Sequence, residues 1–156
     1  MKGETEIALV GALAIIVVAG FILNIFIGSE INWKEIAKET EIIKAINKVE
    51  SVKRGLPYGL YYSYSEALNR GGYTSFSQVE NKNEFGANIS SVFGEYKNEV
   101  EEKTNIIIPS GTVSLSSNGD ELSISFSSPN LLTYEYSSPE LSFKISDNPN
   151  ATIRIK

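Results

Sequence analysis

The chain has 156 residues, with 14 Lys and Arg against 19 Asp and Glu, and a net charge of −5. It contains no Cys and no His, which excludes disulfides, thiolate metal sites, cysteine nucleophiles and any triad that needs an imidazole from this chain. An acidic balance without a basic run also argues against nucleic acid as a partner, because phosphate contacts need clustered Lys and Arg.

Residues 7–27 (IALVGALAIIVVAGFILNIFI) form an uncharged run of 21 residues whose only conventional polar side chain is Asn24. A helix of this length spans about 30 Å, the thickness of the hydrocarbon core of a bilayer. A cleaved secretory signal has a shorter apolar stretch, of roughly 7–15 residues. The run therefore predicts a transmembrane helix, with residues 1–6 as a short leader. An uncleaved apolar helix buried within an assembly is a second, compatible interpretation.

The charges beside this segment do not determine its orientation. Lys34, Lys38 and Lys44 would favour a cytoplasmic C-terminal part, but glutamates alternate with them. The sequons at Asn88 and Asn150 would accept glycans if this part were exported. Its strands, rich in Ser, Tyr and Asn, are typical of exposed β domains. We expect the C-terminal part to be extracytoplasmic.

The pattern after the apolar segment predicts further helices. Residues 28–54 lack Pro and carry apolar side chains at helical spacing, which indicates an amphipathic continuation of the first helix. Gly55-Leu56-Pro57 is expected to end that helix, because Gly and Pro both disfavour a helix interior. A second, short helix is then predicted over 58–69, closed by Gly71-Gly72, and a third over about 88–103. The predicted apolar stripe of the third helix comprises Ile89, Val92, Phe93, Tyr96 and Val100. Residues 55–104 would thus form the helical part of a small head.

The predicted short helix is unusually rich in tyrosine. The plain interpretation is that Leu60, Tyr61, Tyr64 and Leu68 form a packing face at helical spacing. The alternative is a contact surface, because Tyr offers a large amphipathic area at low entropic cost. This surface would comprise Tyr58, Tyr61, Tyr62, Tyr64 and Tyr73.

From residue 105 the hydrophobic period changes from that of a helix to that of a strand. Thr112–Ser117 and Glu121–Ser127 alternate strictly around Asn118-Gly119-Asp120, a strong hairpin signal. Three more short strands are predicted over 131–136, 141–146 and 151–155. Residues 105–156 therefore predict an antiparallel sheet with one packed face and one Ser-rich, wet face. The expected fold class is α+β.

No residue is predicted to be catalytic, to bind a cofactor or to bind a metal. The acids Glu95, Glu99, Glu101 and Glu102 are interpreted as a solvated helix face. Residues 147–150 (DNPN) are interpreted as a turn rather than a calcium loop, since the spacing lacks the EF-hand ligands. No Gly-rich phosphate loop or G-x-S-x-G nucleophile motif is present. We expect a non-enzymatic protein that uses no cofactor.

A short charged leader, an apolar helix, an amphipathic continuation and a small α+β head follow one another. This order, with Met1-Lys2-Gly3 and Glu4-Thr5-Glu6 before the apolar run, resembles that of type IV pilin-like proteins with an archaeal class III signal peptide. The resemblance covers residues 1–27. It implies that a dedicated peptidase cuts between Gly3 and Glu4 and leaves the helix in place. The chain departs from the family in having Ala8 where Glu is frequent.

Small residues along the apolar segment would let neighbouring helices approach closely, although they are also common in any transmembrane helix. They are Ala8, Gly11, Ala12, Ala14, Ala19 and Gly20. We expect a membrane-anchored surface protein that serves as a pilin-like structural subunit of a filament, with adhesion as a role. The alternative is a solitary membrane-anchored binding or accessory module that does not polymerise. The expected partners are membrane lipid and further copies of the chain.

Overall fold

The computed structural model describes residues 2–118 and 121–155, and their side chains except those of residues 2–16 and 31–32. The fold of this part is α+β, as predicted. It consists of helix α1 (Lys2–Gly71), a 3₁₀ turn (Phe76–Gln78), helix α2 (Lys82–Thr104) and the strands β1 (Ile106–Ile107), β2 (Thr112–Asn118), β3 (Glu121–Ser127), β4 (Leu132–Ser137), β5 (Ser142–Asp147) and β6 (Ala151–Ile155).

The chain divides into two compact units, Met1–Ile42 and Ile43–Lys156. Helix α1 supplies the described residues of the first unit and begins the second. Among the side chains that the structure describes, no helix is long and apolar enough to cross a membrane. The predicted leader, residues 1–6, and the first ten residues of the predicted span 7–27 lie outside those side chains.

The predicted helix break at Gly55-Leu56-Pro57 is wrong, because α1 continues through it to Gly71. Pro57 removes one backbone donor from the helix and disfavours the interior position. Its neighbours Leu56 and Leu60, both 0% exposed, bury enough apolar surface to offset that cost. The predicted short helix over 58–69 is therefore the last part of α1 rather than a separate element.

Helix α1 ends where the Gly-Gly pair predicts. Gly72 has φ +71°, a left-handed conformation that glycine adopts without steric cost. The Gly72 N–H donates to the Asn69 carbonyl (3.1 Å) and the Tyr73 N–H to the Leu68 carbonyl (2.9 Å). These two bonds form a Schellman motif, which satisfies carbonyls that the helix end would otherwise leave unpaired.

One face of α1 enters the core of the second unit. Val49, Leu56 and Leu60 are almost fully buried, whereas Ile43 and Ile46 are exposed. The buried residues follow the spacing of three and four that a helix requires for one packed face. They join α2 and the strands in a single hydrophobic cluster.

Helix α2 begins six residues before the predicted start, at Lys82. Asn81 caps it, since its Oδ1 accepts a hydrogen bond from the Glu84 N–H at 3.2 Å. Ile89, Val92 and Phe93 of the predicted apolar stripe are buried, and so is Phe85, which precedes the predicted start of the helix. Asn105 closes the helix with φ 55°, and its N–H donates to the Glu101 carbonyl.

The single predicted sheet is in fact two three-stranded antiparallel sheets, β2-β3-β6 and β1-β4-β5. The predicted hairpin pairing is confirmed, with Asn118 opposite Glu121; Gly119 and Asp120 lie outside the described residues. Alternation along β3 buries Leu122, Ile124 and Phe126. The serines between them face outward, as predicted. Strand β1 is two residues long, and its pattern is too short to be recognised in the sequence.

The two helices approach closely at Gly59. A Cβ atom there would overlap the ring of Tyr96, whose hydroxyl donates to the Gly55 carbonyl at 3.1 Å. Burial raises the pKa of Tyr96, which keeps the hydroxyl protonated as a donor. Gly55 and Gly59 therefore leave the space on α1 that Tyr96 fills.

We predict that Gly59→Ala destabilises the protein by about 1–3 kcal/mol, the usual cost of overpacking a well-filled site. The matched control is Gly94→Ala in α2, where an added Cβ meets nothing within 4 Å. That substitution should stabilise the helix by about 0.5–1 kcal/mol. Denaturant unfolding followed by circular dichroism measures both. Equal midpoints for the two variants would contradict the close packing at Gly59.

Candidate contact surfaces

The described part of the apolar segment, residues 17–27, is exposed throughout. Its large apolar side chains are Val17, Val18, Phe21, Ile22, Leu23, Ile25, Phe26 and Ile27. Phe21 and Phe26 are the most exposed, at 69% and 68%. Since each such side chain gains roughly 1.5–3 kcal/mol on burial, a covering of the whole segment would contribute on the order of 10–20 kcal/mol.

The two side-chain hydroxyls that the structure describes in the first unit are satisfied within the helix itself. The Ser29 hydroxyl donates to the Phe26 carbonyl and the Thr40 hydroxyl to the Ile36 carbonyl, each at 2.8 Å. Such bonds back onto the preceding turn leave no unpaired donor on these side chains. The Ser29 hydroxyl, near the end of the apolar segment, therefore has its donor satisfied without water or a partner.

Of the predicted helix-assembly residues, Ala19 and Gly20 lie on this exposed surface. A Cβ added at Gly20 would meet nothing within 4 Å, so the backbone there is open to a neighbour. The other four, Ala8, Gly11, Ala12 and Ala14, lie outside the described side chains, as do the processing residues Gly3 and Glu4.

The five candidate tyrosines separate into two groups. Tyr58, Tyr61 and Tyr62 are 78%, 57% and 55% exposed on the outward face of α1. Tyr64 is buried, and its ring meets Phe85 edge to face with centroids 6.0 Å apart. Burial raises the pKa of Tyr64. Tyr73 is half-buried and packs against the core.

The plain interpretation is thus right for Leu60, Tyr64 and Leu68, which are buried, and wrong for Tyr61. The contact-surface interpretation remains available only to the three exposed tyrosines. Their position follows from the continuity of α1, since the buried face of the helix determines which residues point away from it.

Two ion pairs flank the three exposed tyrosines on α1. Arg54 Nη2 lies 2.8 Å from Glu50 Oε2, and Arg70 Nε lies 3.0 Å from Glu66 Oε1. Arg70 also reaches Glu95 of α2 at 3.3 Å. Sequence spacing predicts the first pair, and the same spacing of four residues would have predicted the second, which sequence reasoning missed.

The two sequons have different settings. Asn88 is exposed within α2, and the hydroxyl of its sequon residue Ser90 donates to the Gly86 carbonyl at 3.0 Å. Asn150 is exposed just before β6, and its Oδ1 accepts a hydrogen bond from the Ser128 N–H at 3.2 Å. Both side chains are accessible, so the structure leaves both sequons as candidates.

A cleft of about 390 Å³ lies beside the 3₁₀ turn. Its charged groups are Lys82, whose Nζ lies 5.5 Å from the centroid of the Phe76 ring, and Glu121. The remaining polar groups in its lining are hydroxyls. Within the described residues no three acidic side chains come together in a group that could hold a metal ion.

The 147–150 turn has its oxygens engaged by the protein. Asp147 Oδ2 accepts from Lys53 Nζ at 2.7 Å, and Asp147 Oδ1 accepts from the Asn148 N–H at 2.7 Å. Asn148 Oδ1 accepts from the Asn150 N–H at 3.0 Å. The Lys53 ammonium, followed by the Asn148 N–H, lowers the pKa of Asp147. This geometry agrees with the turn interpretation, and the ion pair ties α1 to the end of β5.

We predict that Asp147→Asn destabilises the protein by roughly 0.2–1 kcal/mol at about pH 7, because the pair is partly exposed. A carboxyl with a lowered folded-state pKa stabilises the fold above its unfolded pKa and loses that effect as the pH falls through the folded value. The difference between wild type and variant should therefore shrink as the pH falls through the folded-state pKa of Asp147 and vanish below it. Urea midpoints measured across this range test it, and a difference that grows on acidification would contradict it.

No protein-family model, curated protein or solved structure matches this chain. Only its own residues therefore bear on its function.

Proposed function

We propose that this chain is a non-enzymatic, membrane-anchored extracytoplasmic protein and a pilin-like structural subunit of a surface filament. The observation that carries the proposal is the exposed apolar surface of residues 17–27. The sequence continues the same apolar character back to Ile7. A surface of this size requires lipid or another protein as its surroundings, because water would impose a large free-energy cost.

Lipid and further copies of the chain would cover the same residues at different stages. In a membrane, the apolar segment is solvated by hydrocarbon, and its backbone bonds are satisfied within the helix. In a filament, segments of neighbouring copies would bury one another, and small residues such as Gly11 and Gly20 would allow close contact. One stretch of sequence thus serves the anchored and the assembled state.

The continuity of α1 also supports this proposal. The helix that carries the apolar segment supplies Val49, Leu56 and Leu60 to the core of the second unit. The segment proposed as the anchor and the core of the second unit therefore share one secondary-structure element, since α1 continues through the predicted break. This agrees with the order of features in the pilin-like family, to which residues 1–27 bear a resemblance.

A solitary membrane-anchored binding module is the second candidate function. It is favoured by the exposed tyrosines Tyr58, Tyr61 and Tyr62, which is the composition found in protein contact surfaces. Such a module would keep the anchor and present this surface to a ligand without polymerising. Cleavage and assembly of the full chain distinguish the filament subunit from the solitary module.

We predict that co-expression with an archaeal prepilin peptidase removes Met1-Lys2-Gly3, and that the processed chain forms sedimentable fibres. Gly11→Leu or Ala12→Leu should abolish the fibres without preventing cleavage, because a bulky side chain keeps the helices apart. Ala37→Leu, outside the apolar segment, is the control. Intact-mass spectrometry and sedimentation supply the readouts. A mature chain that keeps Met1 and stays monomeric in detergent would favour the solitary module.

We predict that Val17→Asp shifts the chain out of the membrane fraction, because a charge at the middle of a membrane helix costs about 2.5–3.5 kcal/mol. Thr40→Asp, beyond the apolar segment, should leave fractionation unchanged. For the anchored wild type, protease added outside whole cells should digest the head. Full protection would reverse the proposed orientation, and a wild type that stays monomeric in buffer without detergent would overturn the anchor.

A further inference from the structure

Six residues at intervals of four form a row along α1 within the second unit. They are Glu50, Arg54, Tyr58, Tyr62, Glu66 and Arg70, called here the ridge. The row turns about 40° around the helix at each step, so its two middle residues lie at the centre of the outer face and its end residues on the two flanks of that face. Residues four apart are neighbours on a helix surface, and rows of this kind are the ridges through which helices pack. Five of the six are exposed and Glu66 is half-exposed.

When the ridge is read in the reverse direction, each charged residue is matched by a residue of opposite charge and each tyrosine by the other tyrosine. In an antiparallel alignment centred between the two tyrosines, Tyr58 meets Tyr62, Arg54 meets Glu66 and Glu50 meets Arg70. Each contact therefore joins two aromatic rings or two opposite charges. Arg54 already binds one carboxylate of its own chain and Arg70 binds two, but a guanidinium has five N–H donors and is able to bind a further one.

We propose that a second copy of this chain packs antiparallel against the ridge, about a two-fold axis near position 60. The interface is isologous, since the same residues contribute from both copies. The tyrosines form its centre, with Tyr61 beside them, and the charged residues form its rim, which is the usual anatomy of a protein interface.

A parallel arrangement makes fewer favourable contacts. In register, it would place like charges opposite one another. Staggered by four residues, it would pair Arg54 with Glu50 and Arg70 with Glu66 across the interface. That is two opposite-charge contacts, whereas the two-fold antiparallel alignment makes four. Charge complementarity therefore favours the antiparallel pair.

This inference goes beyond the proposed filament and does not rest on it, because all ridge residues belong to the second unit. Three exposed tyrosines per copy bury a few hundred Å² (about 100 Å² each), which is at the small end of specific interfaces. The expected result is a weak, reversible self-association that increases with concentration.

Substitutions that reverse charges on the ridge test the antiparallel alignment of the two copies. Self-association of the full-length chain in detergent micelles is measured by analytical ultracentrifugation. Arg54→Glu places two carboxylates opposite each other at both symmetry-related contacts and should raise the dissociation constant about tenfold. Glu66→Arg should do the same. The double variant Arg54→Glu/Glu66→Arg restores opposite charges across the interface and should return within about threefold of wild type.

The matched control is Glu50→Arg/Arg54→Glu. It keeps the composition and the ion pair within the chain, but in the antiparallel register it opposes like charges across the interface, and it should associate as weakly as the single variants. If instead this control associates like wild type and the Arg54→Glu/Glu66→Arg variant does not, the parallel stagger is correct and the proposal fails. The apolar segment is identical in all variants, so its own association cancels from the comparison.

Equal association of all variants would also overturn the proposal, whatever becomes of the filament. Disulfide trapping gives an independent readout, because the natural chain has no Cys. Arg54→Cys mixed with Glu66→Cys should form a crosslinked heterodimer. Arg54→Cys alone should not, because its two copies would lie about 18 Å apart along the helices, beyond the reach of about 7 Å between Cα atoms.

Discussion

Burial of one face of α1 is the interaction on which the second unit depends. Leu56 and Leu60 have no exposed surface, and they lie one residue before and three residues after Pro57. Their packing holds the helix in one piece across a residue that would end it in isolation. Because the inner face is fixed in the core, the outer face is fixed as well. The exposure of Tyr58 and Tyr62 is therefore a consequence of core packing.

Local patterns in the sequence predicted the elements whose signals are local. The stripe of α2, the hairpin of β2 and β3 and the span of β6 all depend on periodicity and turn residues within a few positions. The prediction of a helix break at Pro57 was wrong because the Gly and Pro rules describe a helix without tertiary contacts, and Leu56 supplies such contacts. The division into two sheets depends on pairing of β3 with β6 and of β1 with β4, which no local pattern specifies.

The candidate surfaces also differ in how far the sequence alone predicts them. The apolar segment is recognisable from composition alone, because no ordinary water-exposed helix has such a run. The large number of tyrosines is evident from the sequence, but the direction of each tyrosine side chain is not. For a helix assumed to begin at Tyr58, the sequence does not show which face is buried. In the continuous helix α1, the buried residues Val49 and Leu56 determine that face. Only then do Tyr61 and Tyr64 separate into an exposed and a buried residue.

The ion pairs on the outer face of α1 are built entirely from Arg and Glu. Carboxylate and guanidinium groups are side chains that keep their charge near neutrality. With no imidazole or thiol anywhere in the chain, its side-chain charge hardly responds to moderate acidity or alkalinity, and thiol oxidants find no target. A molecule of this makeup therefore keeps nearly the same side-chain charges when the pH or the redox state of its surroundings changes moderately.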